Sequence, residues 1–520
     1  MTRYDRQERI EHWNQDAILK SKVLVAGDGL VSELVVIGMA GMGFGDIEYF
    51  CQRPSIRLGQ SNAAELSQKI NSDVKLLFTK VEAGKNTRLL GEYHAVIDAT
   101  NNPGSKMQLM EWCEQHHTPY ISASAGNSMG GMGVYHPPPR RARPSRRQEE
   151  RQALDRENSL DQENQNSKTR DTLKANMLFL ENAYATPNID ASGVMAGLAI
   201  EEARKIIAPI GRDSTLDDVV LYYPESRPHF IRHDPADIRH DPANFGPGTK
   251  SETGSEIETP RQQFESNLRS RNKSNNRSNN RSSDISHGSS IKSLKVAVVG
   301  AGALGTSCGL NLTLSGIAGI DLYDFDEIEE HNLTRQFLFY EKIGEQKSKV
   351  LKDRLSELGS PTRIRGINKK VSLQDIDDFK KYDVIIDCVD SFKTRALLNY
   401  ISRVNHVPLI SGGTSHIAGQ VLTCKDACLD CQFAINDKAS RSVQAARCIY
   451  APTPSVVTSN MIIGFMQAAC AKNLATLTDF DILKYVSTEE LRLAEIPAIH
   501  QCACTPEKLK PIVEGFYRGQ

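Results

Sequence analysis

Residues 295–347 of this 520-residue chain hold a dense set of side chains suited to phosphate chemistry. Gly300, Gly302 and Gly305 follow a short apolar run, and Asp324 ends a second apolar run about twenty residues later. Glycines at this spacing allow backbone N–H groups to approach a phosphate at a helix N-terminus, and the later carboxylate can hold ribose hydroxyls. The spacing predicts a nucleotide-binding βαβ unit, which on its own is most typical of NAD or FAD binding.

Polar residues downstream of the glycines favour triphosphate chemistry over hydride transfer. They supply two cations, two amides and a carboxylate, namely Asn332, Arg335, Gln336, Lys347 and Asp390. An enzyme that cleaves ATP must stabilise charge on the phosphoryl oxygens and hold Mg²⁺, whereas a dehydrogenase needs a dry nicotinamide pocket. The sequence therefore predicts an ATP site, and a dinucleotide oxidoreductase is the weaker alternative.

Short apolar segments alternate with helical stretches in the same half of the chain. LKVAVVG, GIDLYDF, DVIIDCV and VPLISGG are rich in β-branched residues. This alternation predicts an α/β fold with a mostly parallel, doubly wound sheet. The ligand crevice is then expected at the carboxyl ends of the strands.

The first 230 residues resemble a second, degenerate copy of the C-terminal half. KVLVAGDG aligns with KVAVVGAG, and VIDATNN aligns with IIDCVDS. The copy keeps the apolar pattern but loses the polar groups. At the aligned positions Asp28 lies between the first two glycines, Ser32 replaces the third glycine, Cys51 replaces Asp324 and Asn101 replaces Asp390. We therefore predict two Rossmann-like, doubly wound sheets from an internal duplication, the first without an ATP site.

Low-complexity segments set the predicted domain limits. Residues 1–230 form the pseudo-catalytic domain, with a polar loop at about 137–172; residues 231–293 form a disordered linker; residues 294–520 form the catalytic domain and its tail. The loop and the linker contain few apolar residues and cannot bury a core.

Two cysteine pairs near the C-terminus predict a zinc site. Cys428 and Cys431 form a CxxC pair, and Cys502 and Cys504 form a CxC pair far away in sequence. Such pairs are typical of a four-thiolate site that fixes a tail to a domain. The CxC spacing strains chelation by both sulfurs, so the alternative fourth ligands are His500 and Cys424.

Composition excludes several further classes of protein. The chain has 63 Lys and Arg residues and 64 Asp and Glu residues, which gives a formal net charge of −1. This net charge creates no overall positive electrostatic potential of the kind that attracts nucleic acid. No apolar run is long enough for a membrane span, and the first residues are too polar for a signal peptide. We expect a cytoplasmic protein with no membrane partner, in which the eleven cysteines serve as thiols or metal ligands.

The segment from Leu294 to about Cys504 resembles the ThiF/MoeB and ubiquitin-activating adenylyltransferases. The resemblance rests on motifs in the family's order, namely GxGxxG, DFD, NLxRQ, GxxK, DCxD and the paired cysteines. The resemblance implies ATP-dependent adenylation of the C-terminal carboxylate of a ubiquitin-like or sulfur-carrier protein, giving acyl-AMP and pyrophosphate. It places the Gly300–Gly305 backbone at the phosphates. It also implies that Asp324 binds the ribose, that Asp390 binds Mg²⁺, and that Asp326 and Arg395 support the site. The residues that it implies stabilise phosphate charge are Asn332, Arg335, Gln336 and Lys347, with Lys349 as the alternative to Lys347.

One element of the resemblance occurs only in the N-terminal half. Arg6 belongs to RYDRQ, which matches the RYxRQ opening whose second arginine, in the family, reaches the ATP of the partner subunit. The resemblance implies a pseudo-dimer within one chain, compatible with a monomer in solution. Its single ATP site would lie in the C-terminal half and be completed by Arg6.

The sequence leaves open the substrate and any reaction beyond adenylation. Cys448 lies 17 positions after Cys431, which leaves no room for a large cysteine domain and makes the resemblance nearer to ThiF/MoeB. The resemblance makes Cys448 a candidate acyl acceptor, with an inert buried thiol as the alternative. Adenylation of a peptide, a small molecule or a tRNA base at the same ATP site is a second hypothesis for the function, and a non-catalytic scaffold is a third.

Overall fold

A computed structural model describes residues 3–54, 57–58, 61–82, 84–126, 129–138, 188–216, 219–224, 229–233, 291–425, 428–445, 454–474, 482–488, 490–496, 502 and 504–517. These residues build two eight-stranded sheets and one small two-stranded sheet. The predicted polar loop from residue 139 onward, most of the predicted linker, Cys448 and His500 lie outside the described residues.

The N-terminal sheet has the strand order β10-β9-β8-β7-β6-β1-β2-β5. Its strands are β1 (Lys22–Ala26), β2 (Asp46–Phe50), β5 (Lys75–Thr79), β6 (Ala95–Asp98), β7 (Tyr120–Ala125), β8 (Gly130–Tyr135), β9 (Val219–Tyr223) and β10 (His229–His233), while β3 (Arg57–Leu58) and β4 (Ser61–Asn62) pair separately. The helices of this half are α1 (Asp5–Glu8), α2 (Gln15–Leu19), α3 (Leu30–Met42), α4 (Ala63–Ile70), α5 (Pro103–His116) and α6 (Ile189–Ile207). Strand β10 extends three residues beyond the predicted limit of 230.

The C-terminal sheet has the strand order β13-β12-β11-β14-β15-β16-β17-β18. Its strands are β11 (Lys295–Val299), β12 (Gly319–Tyr323), β13 (Arg363–Ile367), β14 (Val384–Asp387), β15 (Leu409–Ser415), β16 (Ala418–Cys424), β17 (Ile482–Thr488) and β18 (Glu490–Ile496). Its helices are α7 (Ala303–Leu314), α8 (Lys347–Ser356), α9 (Phe392–Asn405), α10 (Leu429–Phe433), α11 (Ile435–Ala445), α12 (Val457–Lys472) and α13 (Pro506–Tyr517).

The two sheets have the same topology, strand for strand. In each sheet five strands pair in parallel and three more continue one edge with antiparallel pairing. The registers also agree, because Lys22 pairs with Asp46 as Lys295 pairs with Gly319. The predicted pair of Rossmann-like, mostly parallel sheets is confirmed, and the shared register supports their origin in a duplication.

Helices α6 and α12 join the two halves through a close crossing. A Cβ at Gly193 would lie 2.1 Å from the Phe465 ring, and one at Gly197 would lie 2.6 Å from Ile462 Cγ1. Glycines on α6 therefore let side chains of α12 pack directly against its backbone. As a result, a single apolar core runs from one half into the other.

A buried polar network crosses the same interface. Lys472 Nζ forms an ion pair with Asp190, and it donates to Asn311 Oδ1 at 2.9 Å and to Ser315 Oγ at 2.7 Å. Asn311 Nδ2 donates to Asp190 Oδ1 at 2.9 Å. The Lys472 and Asp190 side chains are only 7% and 12% exposed, so each charge depends on the other half for its partner. The position of Asp190 in the duplicate is occupied by Val457.

We expect the Asp190→Asn variant to be destabilised by about 3–5 kcal/mol, because it leaves the buried Lys472 cation without its counter-charge. Chemical denaturation of the full chain measures this free energy of unfolding. The matched control is Asp16→Asn, which breaks the exposed Asp16–Lys20 pair and is expected to cost less than about 1 kcal/mol. Equal effects of the two variants would contradict a special role for the buried pair.

In the described part of the chain, no helix has both the length and the apolar content needed to cross a bilayer.

Candidate active site

The glycine turn between β11 and α7 is too tightly packed for side chains. Gly300 has φ +98°, and a Cβ there would lie 2.6 Å from Cys388 O. A Cβ at Gly305 would lie 2.0 Å from Gly300 O. Gly302 is the N-cap of α7 and has no side chain, so nothing from that residue covers the helix N-terminus. The turn thus leaves the first N–H groups of α7 open at the carboxyl end of the sheet, as phosphate binding requires.

Asp324 lies beside this turn at the end of β12. Its Oδ2 accepts a hydrogen bond from Ala301 N at 2.7 Å, and its Oδ1 accepts one from Asp326 N at 2.8 Å. Burial raises the pKa of Asp324 above the ordinary carboxyl value, and the nearby Lys347 charge partly offsets this effect. The structure therefore places the predicted ribose ligand next to the predicted phosphate loop.

Two buried cations, Arg335 and Lys347, follow Asp324 in the chain. Arg335 is 7% exposed, and its Nη1 donates to His331 O at 2.7 Å. Burial and the charge of Arg6 lower the pKa of Arg335 to about 9, although Asp390 acts in the opposite direction. Lys347 is 8% exposed and its Nζ lies 3.0 Å from Asp326 Oδ2, whereas Lys349 is exposed. The charge of Lys347 also acts on Asp324, and the choice between Lys347 and Lys349 as the phosphate ligand stays a prediction.

The two predicted amides are both buried but have different surroundings. Asn332 Oδ1 accepts a hydrogen bond from Glu329 N at 2.9 Å, so it supports the turn that carries Arg335. Gln336 Oε1 is buried without a hydrogen-bond partner among the described residues, and its Nε2 lies 3.8 Å from where a Cβ of Gly302 would be. Gln336 thus has an unsatisfied polar atom near the glycine turn.

Arg6 approaches Arg335 and His331 from the N-terminal half. Gln7 Nε2 donates to Met42 O at 2.9 Å and fixes α1 to the end of α3, and Arg6 O accepts from Ser455 N at 3.3 Å. Burial, followed by the Arg335 and Arg6 charges, lowers the pKa of His331 to about 4. The charge of Arg6 therefore acts on His331 and Arg335 of the C-terminal half, and its contact with a nucleotide stays a prediction.

Asp390 and Arg395 follow strand β14 and have different surroundings. Asp390 is exposed, and its charge acts on Arg335. Arg395 instead lies 3.2 Å from Asp387 and donates to Ser411 Oγ and to Gly412 O.

The Asp387, Arg395 and Ser411 cluster has a counterpart in the other half. There Lys106 lies 3.4 Å from Asp98 and donates to Ser122 Oγ at 3.1 Å. Because the N-terminal half keeps this cluster without the other nucleotide ligands, its role is to brace the sheet. Sequence reasoning missed Asp387 and Ser411, although the alignment with Asp98 and Ser122 contains the signal.

In the N-terminal half the equivalent turn is closed by its own side chains. Asp28 Oδ1 accepts a hydrogen bond from Gln52 N at 2.6 Å. Ser32 Oγ donates to Gly27 O at 2.9 Å. Cys51 is fully buried where the other half has Asp324, and burial raises the pKa of its thiol to about 12. A carboxylate at the turn and an uncharged thiol at the ribose position do not suit a nucleotide.

Four cysteine sulfurs converge beside α10 and α13. The Sγ atoms of Cys428, Cys431, Cys502 and Cys504 lie within 4.8 Å of one another. Zinc–sulfur bonds of about 2.3 Å in a tetrahedron place sulfurs about 3.8 Å apart, so this set fits Zn²⁺. Both cysteines of the CxC pair belong to the cluster, whereas Cys424, the alternative ligand, is not part of it.

We expect about one Zn²⁺ per chain, lost in Cys428→Ser and retained in Cys424→Ser. Because Leu509 and Val513 of α13 pack on the core just after the cluster, loss of the metal should also make the tail more sensitive to proteolysis. Metal analysis and limited proteolysis test both expectations. Protein purified without chelator that contains no zinc, or loss of zinc in Cys424→Ser, would contradict the assignment.

Comparison with known proteins agrees with this geometry. The ThiF family model matches residues 281–504. The C-terminal half of the chain is therefore a ThiF-family domain of the E1-like adenylyltransferase superfamily, and the second Rossmann-like sheet precedes it.

The chain is similar to several curated proteins over part of their length. SUMO-activating enzyme subunit 2 from Dictyostelium discoideum is 31% identical over 216 residues, covering 39% of this chain and 32% of that protein. The adenylyltransferase and sulfurtransferase MOCS3 from Caenorhabditis briggsae is 32% identical over 140 residues, covering 26% and 35%. The NEDD8-activating enzyme E1 catalytic subunit from D. discoideum is 34% identical over 184 residues, covering 31% and 40%. The matches thus span well under half of each relative.

Among solved structures, E. coli MccB crystallised with MccA-N7isoASN is 21% identical and covers 41% of this chain and 67% of that chain. The TM-score is 0.37. This similarity is too low to carry an argument about the site.

Proposed function

We propose that the C-terminal half adenylates the C-terminal carboxylate of a small ubiquitin-like or sulfur-carrier protein, with ATP as the AMP donor. The observation that carries this proposal is the gathering of Arg6, Arg335 and Lys347 around His331, in the segment that follows the glycine turn and Asp324. Burial together with the Arg6 charge lowers the pKa of Arg335 to about 9. Crowding of desolvated like charges is unfavourable in the free protein and is relieved when a polyanion binds between them.

The chemistry follows from where these groups lie. A carboxylate oxygen attacks the α-phosphorus, the bond between that phosphorus and the α,β-bridging oxygen breaks, and pyrophosphate leaves. Negative charge therefore builds on the phosphates as the reaction proceeds. In this proposal Arg335, Lys347 and Arg6 supply the preorganised positive charge that stabilises that change. Asp390 is the exposed carboxylate suited to hold Mg²⁺, which would neutralise phosphate charge when bound.

The proposed substrate class rests on the relatives. They are named as SUMO-activating, NEDD8-activating and MOCS3 adenylyltransferase and sulfurtransferase proteins. Cys448 stays a prediction as the acyl acceptor, since it lies outside the described residues. Adenylation of a peptide or a small molecule at the same ATP site is the second candidate function, and the choice of acceptor in the exchange assay separates the two.

We expect carboxylate-dependent ATP–pyrophosphate exchange to fall about 100- to 1000-fold in Arg335→Ala and in Asp390→Ala, since each removes a group that stabilises charge only in the reaction. Lys347→Ala should show a comparable loss. Lys349→Ala is the matched control, because this exposed lysine lies two residues away, and its exchange rate should stay near wild type. A larger loss in Lys349→Ala than in Lys347→Ala would contradict the assignment of the lysine.

We also expect one ATP to bind per chain, because the N-terminal turn carries Asp28 and Cys51 in place of nucleotide ligands. Arg6→Ala should lower the exchange rate more than it lowers the free energy of unfolding. Calorimetric titration gives the stoichiometry, and denaturation gives the stability. Two equivalent ATP sites, or an Arg6→Ala defect explained entirely by unfolding, would contradict the composite site.

A further inference from the structure

A small basic groove lies at the amino ends of the C-terminal strands, at the opposite edge of the sheet from the glycine turn. It has a volume of about 100 Å³, and its charged and hydroxyl-bearing lining residues are Lys295, Asp321, Arg363, Arg365, Lys381 and Tyr382. Lys295, Gly319 and Arg363 are the first residues of β11, β12 and β13. Since a strand rises about 3.3 Å per residue, the first residues of these five-residue strands lie about 13 Å from their carboxyl ends.

The one carboxylate lining the groove is already paired. Asp321 Oδ1 accepts from Arg365 Nε at 2.6 Å, and its Oδ2 accepts from Arg365 Nη2 and from the Tyr382 hydroxyl. Burial raises the pKa of Asp321, but these hydrogen bonds outweigh burial and the pKa falls below the ordinary value. Asp321 therefore stays ionised and is neutralised by Arg365.

Three further cations line the groove without such compensation. Lys295, Arg363 and Lys381 are exposed, and none of them forms an ion pair within the described ranges of the chain. Lys381 Nζ lies 5.0 Å from the centre of the Tyr382 ring, which helps to fix its position. Asp383 adds a second carboxylate nearby, because its Oδ2 accepts a hydrogen bond from Lys295 N at 2.7 Å. Four cations still outnumber two carboxylates, so a net positive charge remains over a concave surface.

The duplicated half shows that the sheet does not need these cations. The same framework is present there, since the Tyr93 hydroxyl donates to Glu48 at 2.6 Å as the Tyr382 hydroxyl donates to Asp321. The positions equivalent in register, however, carry two cations and three carboxylates, namely Lys22, Asp46, Glu48, Lys75 and Glu92. The position equivalent to Arg365 is Leu77, which has no charge. Fold stability therefore does not explain four cations at the C-terminal groove.

We propose that this groove binds a phosphate group, either as inorganic phosphate or as a phosphate monoester. The groove has room for one tetrahedral anion. Arginine and lysine N–H donors line it from β11, from β13 and from the end of the 3₁₀ segment Leu373–Lys381, and such donors suit phosphate oxygens. The site is separate from the proposed ATP site and does not rest on it.

The test is calorimetric titration of inorganic phosphate, and in a second arm O-phosphoserine, into full-length protein at low ionic strength. An Arg335→Ala background weakens phosphate binding in the catalytic crevice. We expect saturable binding that Arg363→Gln and Lys381→Gln each weaken about fivefold, the effect of losing one partly solvated charge contact. Tighter binding of O-phosphoserine than of inorganic phosphate would identify a monoester as the ligand.

Lys75→Gln is the matched control, because Lys75 occupies the position of Arg363 in the register of the other sheet and is likewise exposed. Phosphate binding should be unchanged in this variant, and all variants should keep the wild-type unfolding midpoint. Absence of saturable phosphate binding, equal weakening by Lys75→Gln, or binding that survives the double variant Arg363→Gln/Lys381→Gln would overturn the proposal.

Discussion

The close crossing of α6 and α12 fixes how the two halves of the chain meet, and with it where Arg6 lies relative to Arg335. Because Gly193 and Gly197 present bare backbone to α12, the two halves pack as one core and not as two tethered domains. The same approach brings α3 against the motif that carries Arg335, and a Cβ at Gly41 would lie 2.7 Å from Thr334 O. Helix α1 is fixed to the end of α3 through Gln7. The position of Arg6 beside Arg335 is therefore a consequence of how the halves pack.

The two halves illustrate how a duplicated fold can keep its framework and lose its chemistry. Both retain the buried carboxylate, cation and serine that brace the sheet, with Asp98 and Lys106 in one half and Asp387 and Arg395 in the other. At the glycine turn they differ, because Asp28 and Ser32 satisfy the N-terminal turn from within. In the proposed function the N-terminal half then contributes to chemistry only through Arg6, at a site that belongs to its neighbour.

Much of this arrangement was predictable from sequence because it is local or repeated. The strands follow from β-branched runs, the glycine turn and Asp324 from their spacing, and the second sheet from its alignment with the first. The ion pair between Asp190 and Lys472 was not predictable, because its partners are 282 residues apart and the duplicate has no equivalent. The antiparallel edges of both sheets were also missed, since their strands carry no nucleotide motif. The bracing role of Arg395 became evident only from its contacts.

The composite nucleotide site, built from both halves of a single chain, can be tested by a structure of the full-length protein with a non-hydrolysable ATP analogue and Mg²⁺. We predict one nucleotide per chain, with phosphates at the Gly300–Gly305 turn and the Arg6 guanidinium within hydrogen-bond distance, about 3 Å, of a phosphate oxygen. A nucleotide bound at the Asp28 turn, or one bound at the Gly300–Gly305 turn with Arg6 directed away from its phosphates, would contradict the composite site.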